Sequence, residues 1–220
     1  MDVSKSKGEW SRSYVERPHP QQSDDFELAY KSMTPAWDIG RPQSAFLDLM
    51  QSGEISGKVL DVGCGTGEHV LMAAKAGLDA VGIDISATAI SIAEDKARER
   101  DLAAKFFVLS ALRLTTLEMR FDTVLDCGLF HNLKIEDRPT FVSGLRAVLR
   151  PGGHYFMFCI NDQRRRLGAA RTISREEIYG SFNIGFYIES IEPALIEETA
   201  SNSVPAWLSK ITRSGTAAPS

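Results

Sequence analysis

The chain has 220 residues and a mass of 24.2 kDa, room for one full α/β domain with a sizeable core and too little for two ordinary ones. Its 25 basic and 29 acidic residues leave a net charge of −4, and the basic ones are scattered apart from Arg164-Arg165-Arg166, which argues against a nucleic-acid partner. Cys64, Cys127 and Cys159 form no CxxC pair and lie in or beside apolar runs, no stretch approaches the roughly 18 apolar residues of a membrane span, and the N-terminus lacks a signal peptide's hydrophobic centre, so a reducing, cytoplasmic location without a membrane partner is expected.

Residues 1–25 are polar, carry the Pro18-His19-Pro20 break and show no apolar period, so a disordered tail is expected there. Phe26, Tyr30 and Met33 then share one face of a short helix, followed by a rigid aromatic-bearing loop, Thr34 to Pro42. Phe46, Leu49 and Met50 give the next helix its buried stripe, and Gly53 ends it. Lys58 to Val62 reads as the first strand, Gly63 to Gly67 as a glycine loop, and His69 to Ala76 as the helix behind it. A second strand, Ala80 to Ile85, finishes in Asp84, and Ser86 caps a helix whose Ile90, Ala93 and Ala97 face inward. Lys105 to Leu109 and Phe121 to Asp126 make the third and fourth strands; Phe141, Leu145, Val148 and Leu149 form a helical stripe closed by Pro151-Gly152-Gly153; His154 to Ile160 is the fifth strand. Asn161 to Thr172 is polar and Arg-rich, a mobile flap by composition, and Ser174-Arg175-Glu176-Glu177 is a capping box. Gly185 to Glu192 and Val204 to Thr212 lack a crossover helix between them, which predicts an antiparallel ending.

Strands alternating with helices at this spacing imply an α/β, Rossmann-like, mostly parallel seven-stranded sheet with helices on both faces and an antiparallel C-terminal pair. Ligands of such sheets sit beyond the carboxyl ends of the strands, where Gly63 to Gly67, Asp84, Ser110-Ala111 and Asp126-Cys127-Gly128 all fall. A dinucleotide fingerprint reads G-x-G-x-x-G, whereas this loop reads G-x-G-x-G with Asp61 before it. A carboxylate aimed at a helix N-terminus opposes a pyrophosphate and suits a cationic ligand, such as one carrying an ammonium and a sulfonium.

At these residues the sequence resembles the S-adenosylmethionine-dependent class I methyltransferases, through Asp61-Val62-Gly63-Cys64-Gly65-Thr66-Gly67, Asp84 and Pro151-Gly152-Gly153, over residues 58 to 160. Trp37-Asp38-Ile39-Gly40-Arg41-Pro42, Gly128-Leu129-Phe130-His131 and the tail from Ser174 to Glu192 resemble more narrowly the thiopurine, thiol and halide methyltransferase branch and its bacterial relatives acting on small heterocycles, phenols or quinones. The resemblance implies a single methyltransferase domain at 26–214, with 26–53 a helical lid over the cofactor and 215–220 a tail. It implies S-adenosylmethionine as cofactor, S-adenosylhomocysteine as product, a small-molecule acceptor attacked through O, N or S, no metal, and a monomer or homodimer.

The same resemblance distributes roles. Asp61 and the loop Gly63, Cys64, Gly65, Thr66 and Gly67 would hold the methionine part, Asp84 both ribose hydroxyls, and Ile85 a face of the adenine. Ser110, Ala111 and Leu112 stand where the family often places an acid on the adenine amino group; here a hydroxyl or backbone carbonyl must serve. Asp126, Cys127 and Gly128 would line the methionine side, with Asp126 more an organiser of its loop than a base, and Trp37, Gly40 and Arg41 would close from the N-terminal segment. On the acceptor side stand Tyr30, Trp37, Phe130, His131 and Arg171; His131 is either a general base or a histidine satisfying local backbone, and Trp37 either a lid residue or an anchor. Two rivals use the same sheet: an NAD-dependent oxidoreductase and a non-catalytic cofactor-binding paralogue.

Overall fold

The computed structural model describes residues 23–32, 34–162, 171–199 and 202–215. The expected tail therefore lies largely outside the described residues, as does most of the Arg-rich segment. Its boundary shifts, however: the first helix, α1 (Ser23–Ser32), already includes three residues read as tail.

Seven strands make one sheet: β1 (Val59–Val62), β2 (Ala80–Asp84), β3 (Ala104–Val108), β4 (Phe121–Cys127), β5 (Leu149–Ile160), β6 (Phe186–Glu197) and β7 (Ser203–Arg213). Their order is β3-β2-β1-β4-β5-β7-β6, parallel except for β7, which runs antiparallel to both β5 and β6. The chain thus starts in mid-sheet, winds outward to β3 and returns to β4, leaving the crevice between the ends of β1 and β4 as the point where the winding reverses.

Period-two alternation divides the core between two faces. Leu60, Val62, Val124, Tyr155 and Met157 point to the face covered by α5 (Arg138–Val148) and α6 (Arg175–Ser181). Val59, Leu125, Phe156 and Phe158 point to the opposite face, with Phe46 of α2 (Ser44–Gln51), Val70 of α3 (Glu68–Lys75) and Ile90 of α4 (Ala87–Glu99). Phe46, edge-on to both Phe158 and His69, is fully buried; its loss to alanine is worth about 3–5 kcal/mol.

The expected element ends hold where a side chain caps them. Ser86 Oγ accepts from Ala89 N–H at 3.1 Å, and the Ser174/Glu177 capping box closes with bonds of 3.2 and 2.9 Å. Other expectations need correcting. Leu149 leaves the helical stripe and begins β5, and β6 runs five residues beyond Glu192, to Glu197, because its full length pairs with β7. At the sheet edge only Phe106 of β3 is buried, and Phe107 and Val108 are exposed, so two-face coverage fails there.

Candidate active site

The carboxyl ends of β1, β2 and β4 converge. Gly63 and Cys64 N–H both donate to the Ile83 carbonyl, at 2.8 and 2.9 Å, stitching the glycine loop to β2. Gly65 has φ +52° and donates its N–H to Asp84 Oδ2 at 2.8 Å; Ser86 N–H takes Oδ1 at the same distance. Gly67 has φ +86°, and a Cβ there would lie 2.8 Å from the Ala93 Cβ and 2.9 Å from the Phe106 ring. Both turns require glycine for backbone sign and for space, since a Cβ on Gly65 would also stand 2.6 Å from the Tyr30 hydroxyl.

Two carboxylates face this loop with different surroundings. Asp84 has each oxygen anchored by one backbone N–H, and lone pairs remain for two further donors. Burial pushes its carboxyl above the usual range, while the Ser86 and Gly65 N–H groups pull the other way. Asp61 is 1% exposed and neither of its oxygens has a hydrogen-bond partner; His69 Nδ1 stands 3.6 Å from Oδ2. A buried carboxylate left unpartnered is costly, so this is the place in the site that calls for a cation or donor.

The loop after β4 is shaped by Asp126, which is wholly buried. It accepts from Leu129 N–H at 2.8 Å, Phe130 N–H at 3.1 Å and the Tyr155 hydroxyl at 2.6 Å. Burial pushes its carboxyl up to about 7 despite these donors. The reading of Asp126 as a cofactor ligand is therefore corrected: its acceptor capacity is spent on its own loop and on β5. The loop that it folds does reach the glycine turn, since a Cβ on Gly63 would meet the Leu129 side chain at 3.2 Å. Gly128 makes the bend at φ +93°, and Asn132 Nδ2 closes it on the Gly128 carbonyl at 2.6 Å. Burial raises the Cys127 thiol far above its ordinary range, so it is no nucleophile.

The N-terminal segment lies across this surface. Glu27 of α1 caps the start of α4, accepting from Ser86 Oγ at 2.6 Å, Thr88 Oγ1 at 2.7 Å and Thr88 N–H at 3.1 Å, and these bonds hold its carboxyl down at about 2. The Tyr30 hydroxyl receives Trp37 Nε1–H at 2.9 Å and sits over Gly65, 2.6 Å from where a Cβ would stand. Tyr30, expected on the acceptor side, thus stands over the glycine loop. Trp37, 42% exposed, is edge-on to Phe26 and Tyr30. Asp38 receives Thr66 Oγ1 at 2.9 Å and turns the loop through Gly40 N–H at 3.2 Å. Arg41 forms a two-pronged pair with Glu197, at 3.0 and 2.8 Å, which ties the N-terminal segment to the end of β6 and leaves the guanidinium engaged there.

Several expected residues lie elsewhere. Phe130 is wholly buried against Phe141 and Phe182, with the Arg138 guanidinium 4.6 Å above its ring, so it is core and not acceptor surface. Apolar character was read as substrate affinity where packing claimed it. Arg171 is half-buried, donating to the Leu133 carbonyl at 3.4 Å and Glu177 at 3.3 Å. Ser110 Oγ accepts from Leu112 N–H at 3.3 Å, Ala111 is buried, and Ile85 is exposed beside Asp84. His131 is buried, with Nδ1 accepting from Ile160 N–H at 3.3 Å. Reading the sequence assigned no role to Asp38, Glu27, Gln43, Tyr155 and Glu197, and placed His69 only as a histidine just past the glycine loop. Asp38, inside the Trp37 to Pro42 stretch, and His69 carried a local signal.

Comparison with known proteins fits this geometry. The methyltransferase domain family matches residues 59–153. The 2-heptyl-1-hydroxyquinolin-4(1H)-one methyltransferase of Mycobacteroides abscessus is 35% identical over 142 residues, 61% of this chain and 63% of that protein, so the chain spans less than two thirds of this relative. An uncharacterized methyltransferase of Schizosaccharomyces pombe is 30% identical over 119 residues, covering 54% of this chain and 82% of that one. A solved structure from work on the conversion of a disulfide bond into a thioacetal group during echinomycin biosynthesis is 35% identical and superimposes with a TM-score of 0.81, covering 89% of this chain and 94% of that one.

Proposed function

The chain belongs to the methyltransferase domain family, and from that premise we propose that it transfers the methyl group of S-adenosylmethionine to an O, N or S atom of a small aromatic, heterocyclic or thiol acceptor. The observation that carries this reading is Asp61, a buried carboxylate with no hydrogen-bond partner beside a glycine loop that is itself held open by Asp84. A dinucleotide would bring a pyrophosphate against that charge; a donor with an ammonium and a sulfonium brings the opposite sign.

When bound, S-adenosylmethionine supplies an electrophilic methyl on sulfur. Asp61 would take the ammonium, Asp84 the ribose hydroxyls through its free lone pairs, and Ile85 a face of the adenine; Gly63 to Gly67 give the close backbone approach. Ser110, Ala111 and Leu112 flank the adenine position, with the Ser110 hydroxyl shared with its own cap. Cys127 and Gly128 line the methionine side, and Tyr30, Trp37 and Gly40 cover the glycine loop under the lid pinned by Arg41. The protein's contribution is proximity, alignment and exclusion of water, which are worth up to about 7–11 kcal/mol in favourable cases.

Of the two readings of His131, we take the one in which it satisfies local backbone. Its Nδ1 accepts from Ile160 N–H, so the neutral ring carries its proton on Nε2 and has no lone pair there for a base. Relatives that act on a hydroxyquinolone, and one whose work concerns a disulfide becoming a thioacetal, support small aromatic and sulfur acceptors. The domain is taken as 26–214 with the helical lid at 26–53, cytoplasmic, as monomer or homodimer; among the described residues no helix is long and apolar enough to cross a membrane. A radiolabelled-methyl screen over thiols, phenols, quinones and N-heterocycles tests the reading, with His131→Ala in parallel. Labelling of a small acceptor is expected, with His131→Ala slowing thiols and phenols alike. Labelling of protein or RNA alone would contradict it.

A further inference from the structure

His69 lies outside every role assigned so far, yet it joins the lid to the carboxylate at the centre of the site. It is the second residue of α3 and is buried edge-on to Phe46, with ring centroids 4.7 Å apart. Its Nε2 accepts the backbone N–H of Gln43 at 3.2 Å. Its Nδ1 faces Asp61 Oδ2 at 3.6 Å, and among the described residues it is the one basic side chain at ion-pair distance from Asp61. The nearby cations Lys96 and Arg100 are committed to Glu68, each at 2.8 Å, and Lys96 also to Thr66.

A backbone N–H cannot be deprotonated, so a nitrogen that accepts from it must keep its lone pair. The neutral imidazole then has one tautomer available, with the proton on Nδ1 and pointing at Asp61. Gln43 is no isolated donor. Its side chain clamps the backbone of Glu197, Nε2–H donating to the carbonyl at 2.9 Å and Oε1 accepting the N–H at 2.8 Å, and the same Glu197 holds Arg41 and Ser44 N–H. The lid, the end of β6 and the buried carboxylate are therefore linked through one ring.

We infer that His69 is a positioning residue for donor binding: the lid's Gln43 N–H locks its tautomer, and the resulting Nδ1–H dipole, 3.6 Å from Oδ2 and short of a hydrogen bond, faces the Asp61 carboxylate and supports the negative charge that meets the ammonium of the methyl donor. The inference rests on the donor assignment made above. It ties the placing of the N-terminal segment to the amino-acid end of the donor, because Gln43 sets the side chain that faces the carboxylate.

Two substitutions separate the two nitrogens. His69→Asn keeps an amide N–H near the position of Nδ1 and gives up the lid contact, whereas His69→Gln keeps a carbonyl near Nε2 and gives up the donor to Asp61. Calorimetric titration uses S-adenosylhomocysteine, which carries the ammonium, and 5′-methylthioadenosine, which lacks the amino-acid end. His69→Gln is expected to weaken S-adenosylhomocysteine a few-fold, as loss of a dipole beside a buried charge does, with methylthioadenosine unchanged and His69→Asn close to the parent protein. The loss should vanish in an Asp61→Asn background. Imidazole ¹⁵N spectra of the unmutated protein should show His69 protonated at Nδ1. Equal weakening of both ligands, an equal effect of the two substitutions, or a proton on Nε2 would each overturn the inference. An unmutated protein that binds neither ligand would instead overturn the donor assignment, and this inference with it.

Discussion

The glycine loop and the walls around it are built in different ways. In the glycine loop, contacts are short-range and made by backbone: Gly65 to Asp84, Gly63 and Cys64 to Ile83, and Ser86 to Asp84 all lie within about one β-α-β unit. In the walls, contacts are long-range and made by side chains: Tyr155 reaches Asp126 across 29 residues, Arg138 reaches Glu177 across 39, and Arg41 reaches Glu197 across 156. A backbone cradle serves any member of a fold family, whereas a wall assembled from distant side chains can be rebuilt without disturbing it. The cradle is therefore common property and the walls are individual.

The largest effect expected from this contrast lies in the walls. Asp126 titrates near 7 in the folded chain because it is buried, so across pH 4–7 the native state holds a proton that the unfolded chain has released. Stability from this group is full below pH 4, falls as pH rises to about 7 and is level above it; three pH units correspond to roughly 4 kcal/mol at most. Asp126→Asn should remove that slope from denaturant midpoints measured between pH 4 and 8. A slope unchanged by the substitution would place the charge cost elsewhere. Glu27 and Glu197, both held down at about 2, act in the opposite sense and only below about pH 4.5, so they do not mask it.

On the donor side, Asp84→Ala removes the acceptor of two backbone N–H groups and of the proposed ribose hydroxyls. S-adenosylhomocysteine affinity should fall about 100-fold or more by calorimetry, and a loss under fivefold would deny Asp84 that role. Gly67→Ala forces a Cβ against Ala93 and Phe106 at positive φ. About 2–3 kcal/mol of stability should go, a fall in Tm of roughly 5–10 °C. The smallest effect belongs to the lid clamp. Arg41→Ala breaks an exposed pair, so Tm should barely move while KM for the donor rises a few-fold at constant kcat. A large drop in Tm would make the clamp a pillar of the fold instead of a hinge of the lid.

The same contrast decides what could be read from the sequence. The glycine loop, Asp84, the Ser86 and Ser174 caps and the antiparallel ending were legible because each is encoded within a few adjacent residues. The positions of Tyr30 and Phe130 were not. Both are aromatic residues near the site in sequence; one is drawn onto Gly65 by Trp37, and the other into the core by Phe141, Phe182 and Arg138. Asp126 was legible as an organiser of its loop, but not its partner Tyr155, whose hydroxyl comes from the next strand. Glu197 and Gln43 were invisible for the same reason, since a clamp between residues 154 positions apart leaves no spacing to notice.

The central claim is that a cationic methyl donor meets Asp61. Calorimetric titration of S-adenosylhomocysteine into the unmutated protein and the Asp61→Asn variant tests it directly, with NADH as the competing ligand. One molecule of S-adenosylhomocysteine should bind per chain, weakening at least about tenfold in the variant, as expected for a lost charge-assisted contact, and NADH should not bind. NADH binding in its place, or equal S-adenosylhomocysteine affinity with and without the carboxylate, would contradict the account.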